Sequence, residues 1–356
     1  MFRMVVLLLL VGLLVSPPLL AQDELETEPT PGPTLTSVLA RGQINCGVNE
    51  DVFGFGFLNP NTGAISGLSA DLCRALAVAV FGDRAGVDLQ LQPLGAGYDQ
   101  LLAGGQDVLL AYELEYSLST PAEVAFAPAY FYEGQSIMVA ADSGLETWAD
   151  LDGRTICATT APRVEQNIRQ ALDSRGLNYD LLLFDSSINM TDSLISGRCD
   201  AQTLDRTLLE ILRQSTANPS AYTVWQEPFT RRVIRPAYRY ADQQWAEIVN
   251  WTLWGLLEAE RLGISSETIN TLAQREGESN EDYSSRVAPE TTSLLNNEAI
   301  TRFGLAPDFM VAVVQQVGHY GEIYDRHMGP QSELPMERLW NRIWTDGGLL
   351  NAPPWH

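Results

Sequence analysis

Behind an apolar run from Val5 to Val15, hydrophobic and polar positions alternate in a way that predicts short strands and helices in turn. Gln43 to Val48 reads as an opening strand, and Asn59-Pro60-Asn61-Thr62-Gly63 as a tight turn. Ser69 is placed to cap a helix running to about Phe81, with Leu72, Leu76 and Ala79 on one face and Gly82 beyond its end. Val87, Leu89 and Leu91 alternate in a second strand over 87–94. A short helix around Tyr98 to Ala103 stops at Gly104-Gly105, and a third strand starts at Asp107. The same order recurs: a strand over Thr155 to Ala158, a helix over Arg163 to Ser174, a strand over Leu181 to Phe184, and a short helix ending at Gly197 before Cys199-Asp200-Ala201. Leu102-Ala103-Gly104-Gly105-Gln106-Asp107 and Ile195-Ser196-Gly197-Arg198-Cys199-Asp200 form a weak internal repeat. In both, a helix stops on glycine and a buried strand follows at once. Strands alternating with helices in each half predict two α/β lobes with parallel sheets.

Past Tyr222 the pattern turns mainly helical. Gln243 to Leu262 predicts a long helix with Trp245, Val249, Leu253 and Leu256 on its apolar side. Further helices are expected from about Pro307 to His327 and from Met336 to Thr345, while the polar stretch Ser265 to Asn297 reads as a surface excursion. Trp251, Trp254, Trp340 and Trp344 are read as packing residues, not as a ligand box.

The first residues carry Arg3 ahead of the apolar run, Pro17-Pro18 behind it and Ala21 at a cleavage point, the outline of a secretory signal peptide over 1–21. Leu19 stands where a small residue is usual, so an uncleaved membrane anchor is the alternative. The acidic, proline-rich segment 22–34 reads as a disordered tether. The roughly 320 residues that follow exceed one compact core, which again implies two lobes. All 22 basic residues are arginine, and with 45 acidic residues the net charge is −23, which argues against nucleic acid or anionic membrane surfaces as partners. The expected location is periplasmic or extracellular.

Four cysteines, Cys46, Cys73, Cys157 and Cys199, read as disulfides in an exported chain, with three pairings open. No Cys-x-x-Cys or His/Cys cluster points to a metal. His319 and His327 are eight apart, not the four that stack two ligands on one helix face. No nucleophile elbow, phosphate loop or dinucleotide fingerprint occurs, and Glu113 with Glu115 is weak support for a hydrolase. The chain is read as a binding protein without a cofactor or metal, not as an enzyme.

Several stretches carry a family resemblance: Gly67-Leu68-Ser69-Ala70-Asp71-Leu72-Cys73-Arg74-Ala75, Val80-Phe81-Gly82-Asp83, Gly197-Arg198-Cys199-Asp200, Asp242-Gln243-Gln244-Trp245, Gly318-His319-Tyr320-Gly321-Glu322-Ile323-Tyr324, Gly347-Gly348-Leu349-Leu350 and Ala352-Pro353-Pro354. Together they resemble the extracytoplasmic amino-acid-binding proteins of ABC importers, in the general L-amino-acid branch, from about Leu35 to Trp355. The resemblance implies a two-lobed periplasmic-binding-protein-like α/β fold with two crossover strands, near Gln135 to Ala141 and Val233 to Tyr240. It assigns 35–137 plus 238–356 to lobe one, with the helical C-terminal extension packed on it, and 138–237 to lobe two. It pairs Cys46 with Cys73 and Cys157 with Cys199, since a bond across the lobes would lock the hinge; each bridge would contribute roughly 3 to 4 kcal/mol. It further implies a monomeric receptor that closes on a small ligand and is read by a membrane permease. A non-transport sensory or interaction domain of the same fold is the alternative.

The family grips the ligand α-carboxylate with a lobe-one arginine, but this chain has no arginine or lysine between Arg84 and Arg154. The corresponding segment offers Glu113, Glu115, Ser117 and Ser119. In lobe two the family's Gly-Thr-Thr is replaced by Thr159-Thr160-Ala161-Pro162-Arg163, with Thr160 a candidate ligand contact, while proline removes one N–H donor and a guanidinium replaces a hydroxyl. Asp205 matches the family's amine-binding aspartate, and one of Phe53, Phe55 or Phe57 is expected to supply an aromatic wall, with Phe55 taken as the candidate. Three explanations stay open. Arg163 replaces the lost clamp from lobe two, or Glu113, Glu115 and Asp205 form an acidic cleft for an amine, or the cleft is degenerate.

Overall fold

The computed structural model describes residues 31–93, 96–111 and 120–355. The leader and most of the tether lie outside the described residues, as do Glu113, Glu115, Ser117 and Ser119. Two five-stranded sheets organise the chain. Across the first run Val87–Gln92, Ile44–Asn49, Val108–Leu110, Ala237–Arg239 and Val124–Phe126. Across the second run Tyr179–Phe184, Arg154–Thr159, Ala201–Asp205, Gln135–Ala140 and Tyr222–Val224. In each, three parallel strands are followed by an antiparallel strand, which in the first sheet, Ala237–Arg239, comes from a distant part of the chain.

The internal repeat has a structural meaning. Asp107 and Asp200 each stand just before the third strand of their sheet. The Asp107 carboxylate accepts the Asn45 N–H at 2.8 Å while its own N–H donates to the Asn45 carbonyl at 2.8 Å. Asp200 does the same with Thr155, again at 2.8 Å in both directions. Each aspartate therefore clasps the start of the first strand and fixes where the sheet begins. The cysteines are bonded as Cys46–Cys73 and Cys157–Cys199.

The chain passes between the sheets twice, and the two passages pair as an antiparallel ribbon, Phe131–Glu133 against Arg232–Ile234. At one end Ala237 pairs with Leu109 and Phe126, and at the other Gln135 pairs with Asp205. The carboxyl ends of both parallel strand sets thus converge on the ribbon. Its outer edge is not left open: the Asn341 side chain accepts the Tyr132 N–H at 2.6 Å and donates to the Tyr132 carbonyl at 3.0 Å. One amide side chain stands where a third strand would be.

Helix Leu68–Phe81 covers the first sheet and is itself covered by helices Gln243–Arg261, Phe309–Val317 and Tyr320–Met328. Trp245 ties the long helix to the sheet by donating its indole N–H to the Asp107 carbonyl at 2.9 Å. Buried Asp71 joins Leu68–Phe81 to Tyr320–Met328, accepting from Arg74 at 2.8 Å and Arg326 at 2.5 Å and meeting His327 Nε2 at 2.7 Å. Burial alone raises its carboxyl, but the hydrogen bond and charge of His327, with Arg326 and Arg74, outweigh that and hold it well below the usual carboxylate range.

Several sequence expectations shift. The first helix, Pro33–Arg41, starts before Leu35, because the Asp242 carboxylate takes the Thr34 N–H at 2.8 Å and seats it. Ser69 does not cap its helix; its hydroxyl meets that of Tyr130 at 3.1 Å, and Gly67 holds the cap position. The single helix expected over 307–327 is two, broken where Gly318 takes φ 93° and His319 forms a capping box with Glu322. The polar stretch 265–297 is not a mere excursion: three short helices bury Ile269, Tyr283, Leu294 and Leu295. No helix spans Met336 to Thr345, where two short turns, Leu339–Asn341 and Trp344–Asp346, deliver Asn341 to the ribbon. Trp344 is 58% exposed and packs nothing away, whereas Trp251 stacks edge-on against Trp254 and Trp355. Among the described residues, no helix is long and apolar enough to cross a membrane.

Two outcomes follow from these contacts. A Cβ at Gly134, between ribbon and second sheet, would lie 2.0 Å from the Thr230 carbonyl oxygen. Gly134→Ala is expected to cost about 1 to 3 kcal/mol and lower Tm in a thermal melt. Because Asp71 has a depressed folded value, its contribution is complete above the unfolded carboxylate range and is lost as pH falls below about 4. Asp71→Asn should flatten the acid limb of a stability-versus-pH curve; an unchanged acid limb would refute the assignment.

Candidate ligand-binding site

In open α/β sheets ligands bind outside the carboxyl ends of the strands, and here both sets of ends meet the ribbon. On the second sheet those ends carry Thr159 and Thr160, Phe184 and Asp185, and Asp205. Asp205 closes its strand and stands at the N-cap of helix Arg206–Ser215, yet its side chain caps nothing. The cap comes from the ribbon instead. Glu133 Oε2 accepts the Thr207 N–H at 3.2 Å, its Oε1 accepts the Gly134 N–H at 2.8 Å, and the Gly134 carbonyl accepts the Arg206 N–H at 2.9 Å. An anion at a helix N-terminus is favourable for both the orphan N–H groups and the dipole.

Released from capping, Asp205 bonds through Oδ2 to Arg232 of the ribbon, the two side chains being 15% and 6% exposed. Buried Arg206 reaches both ways, to Gln226 Oε1 at 3.1 Å and to the Glu337 carbonyl at 3.3 Å, so the helix start is tied to the C-terminal extension. Gln135 secures the neighbouring strand end: its Nε2 donates to the Val164 carbonyl and to Thr203 Oγ1, each at 3.0 Å, and its Oε1 accepts from Asn167 at 3.1 Å. The site is a rigid, hydrogen-bonded floor with mixed charge.

Thr160 donates its hydroxyl to Asp185 Oδ1 at 3.0 Å and its N–H to the Phe184 carbonyl at 3.0 Å. Thr159 Oγ1 beside it is shut from solvent with no hydrogen-bond partner. Helix Pro162–Asp173 starts with proline at its first position, where the missing N–H costs the helix nothing, and Arg163 follows, exposed in the first turn. Thr160, Arg163 and Asp205 therefore stand at the ends of one sheet. Phe55 does not join them. It is fully buried in the turn between Asp51–Val52 and Gly56–Leu58, with its ring edge-on to Phe131 at 4.8 Å, and is a core residue. Phe53 and Phe57 are half-buried and pack edge-on at 5.1 Å. Glu113, Glu115, Ser117 and Ser119 lie outside the described residues. Sequence reasoning missed Arg232, Gln135 and Glu133, because nothing local signals that a ribbon strand will meet a strand end. A pocket of about 440 Å³ floored by Trp251 and Trp355 opens on the helical extension, and none of its lining residues belongs to the ribbon or the strand ends.

Removing one partner of a buried pair leaves the other charge uncompensated. Asp205→Asn is expected to lower stability by about 2 kcal/mol, discounted for its partial exposure, and Arg232→Gln added to it should recover part of the loss. Denaturant melts of the two single variants and the double variant measure this; strict additivity would show the pair to be energetically idle.

Residues 84–217 match a family model described as NMT1/THI5 like, which spans less than half of the chain. Full-length relatives say more. YhdW of Escherichia coli (strain K12), whose name places it among amino-acid ABC transporter-binding proteins, is 31% identical over 327 residues, 91% of this chain and 92% of its own length. AapJ of Rhizobium johnstonii, a general L-amino acid-binding periplasmic protein, is 30% identical over 323 residues, 90% of this chain and 92% of its own. Among solved structures, a periplasmic binding protein of an ABC transporter from Brucella ovis with glutathione bound aligns with a TM-score of 0.75 at 31% identity, covering 91% of this chain and 99% of that one. Similarity at this level runs through both sheets, the ribbon and the helical extension alike, and the chain belongs to the amino-acid-binding proteins of ABC transporters.

Proposed function

We propose that this protein is an extracytoplasmic receptor that binds an amino acid or a related small amine-bearing solute where the strand ends meet the ribbon, closes on it by flexing the ribbon, and presents it as a monomer to an ABC permease. The observation that carries this reading is the convergence of both sets of strand ends on a paired double crossover, with Asp205 at the rim. The names of the full-length relatives support the ligand class, and the glutathione bound to the Brucella ovis protein extends it to amine-bearing peptides. Within this reading, Arg163 takes over the carboxylate grip that the stretch between Arg84 and Arg154 lacks. Its position at a helix entry brings backbone N–H groups to the same anion. Glu113, Glu115, Ser117, Ser119 and Thr160 complete the polar lining, and Phe53 or Phe57, not Phe55, supplies an aromatic wall.

Thermal-shift screening of the mature protein against the common L-amino acids, glutathione and polyamines tests the proposal. A ligand at one hundred times its Kd stabilises the native state by about 2.7 kcal/mol, and a clear rise in Tm is expected with at least one amine-bearing probe. Arg163→Ala should abolish the rise for carboxylate-bearing probes. Failure of every probe would sink the receptor reading; binding unaffected by Arg163→Ala would sink only the role of Arg163.

A further inference from the structure

We propose that Arg232 is a specificity-determining residue: it neutralises Asp205 at the strand ends and biases the cleft against cationic solutes. The inference deepens the receptor reading and rests on it. Four charged side chains gather at this end of the ribbon, Glu133 and Asp205 against Arg206 and Arg232, two of each sign. All are buried or nearly so, and the charges of these four described side chains offset one another, as a low-dielectric floor requires.

Their connections fix which of them a ligand feels. Glu133 is committed to the helix N-terminus through the Gly134 and Thr207 N–H groups. Arg206 is committed to Gln226 and to the Glu337 carbonyl. Asp205 is the member at the strand end, with its carboxylate 15% exposed, and Arg232 is the cation bonded to it. Arg232 cannot swing away readily: its backbone is held in ribbon register opposite Glu133, and its side chain is 6% exposed. A ligand amine approaching Asp205 therefore meets an ion pair, not a bare carboxylate. That suffices for a single ammonium, which can share the carboxylate. A second ammonium gains less from a paired carboxylate than from a bare one, and specificity is the difference between those two cases. Loss of Arg232 makes the floor one unit more negative, which favours a cationic ligand. Loss of the Asp205 charge makes it one unit more positive and reverses the preference.

The test is isothermal titration of the full mature chain with L-arginine, L-glutamine, L-glutamate and glutathione, for wild type, Arg232→Gln, Arg232→Lys and Asp205→Asn, each first checked for folding by circular dichroism. Arg232→Gln should raise affinity for L-arginine relative to L-glutamate at least tenfold, and Arg232→Lys should leave the ratio within threefold of wild type. Asp205→Asn should move the ratio the other way, so the proposal stays open to refutation even if Arg232→Gln does not fold. A folded variant of either residue whose ratio stays at the wild-type value overturns it. A wild-type protein that binds none of the four probes overturns the receptor reading, and this inference with it. Binding by wild type with an unmoved ratio in the variants leaves the receptor standing and removes only the role of Arg232.

Discussion

The pairing of Phe131–Glu133 with Arg232–Ile234 is the constraint on which the rest of the molecule depends. Two strands alone make a marginal ribbon, and this one is reinforced from outside at each end. Asn341 saturates the Tyr132 backbone on one edge, while Glu133 and Gly134 fasten the helix that follows Asp205. The reinforcement uses single side chains and not further strands, so it adds order without adding a third layer that would stop the ribbon bending.

Electrostatics around the ribbon follow from that economy. Because Glu133 supplies the helix cap, Asp205 need not, and its carboxylate is available at the strand end. Because Arg232 lies in the ribbon, that carboxylate does not stand bare. In the proposed reading, the mechanical element and the recognition element thus share residues. A change in charge at the floor is a change at the hinge, which couples what is bound to how the sheets can move.

Much of the fold is legible in the sequence, for physical reasons that can be named. Alternation at Val87, Leu89 and Leu91, the glycine stops at Gly104 and Gly197, and the repeated aspartates at 107 and 200 are local signals, and each marks a real element boundary. What failed was read where a local pattern competes with a distant contact. Met336 to Thr345 has helical composition, but Asn341 is drawn to the ribbon and the helix does not form. The run 265–297 is polar on average, yet a few apolar residues at the right spacing bury it. The candidate site is legible only in part. Asp205 and Thr160 sit in recognisable runs, while Arg232 is separated from Asp205 by a whole helix, a short turn and a further strand. Phe55 lies in the core, and three phenylalanines at alternate positions give no hint of which one a turn will bury.

The sheet topology also sets an order of assembly. Every strand of the second sheet comes from one continuous stretch, Gln135–Ala140 through Tyr222–Val224. The first sheet is interrupted: Ala237–Arg239 must slip between Val108–Leu110 and Val124–Phe126, and the helices that cover it come later still. Closing a distant loop costs entropy before any contact repays it. The middle of the chain can therefore mature as an independent nucleus while its two flanks wait for each other. Asn341 lies beyond every strand of both sheets, so the edge it closes on the ribbon depends on a contact more distant in sequence than any strand pairing.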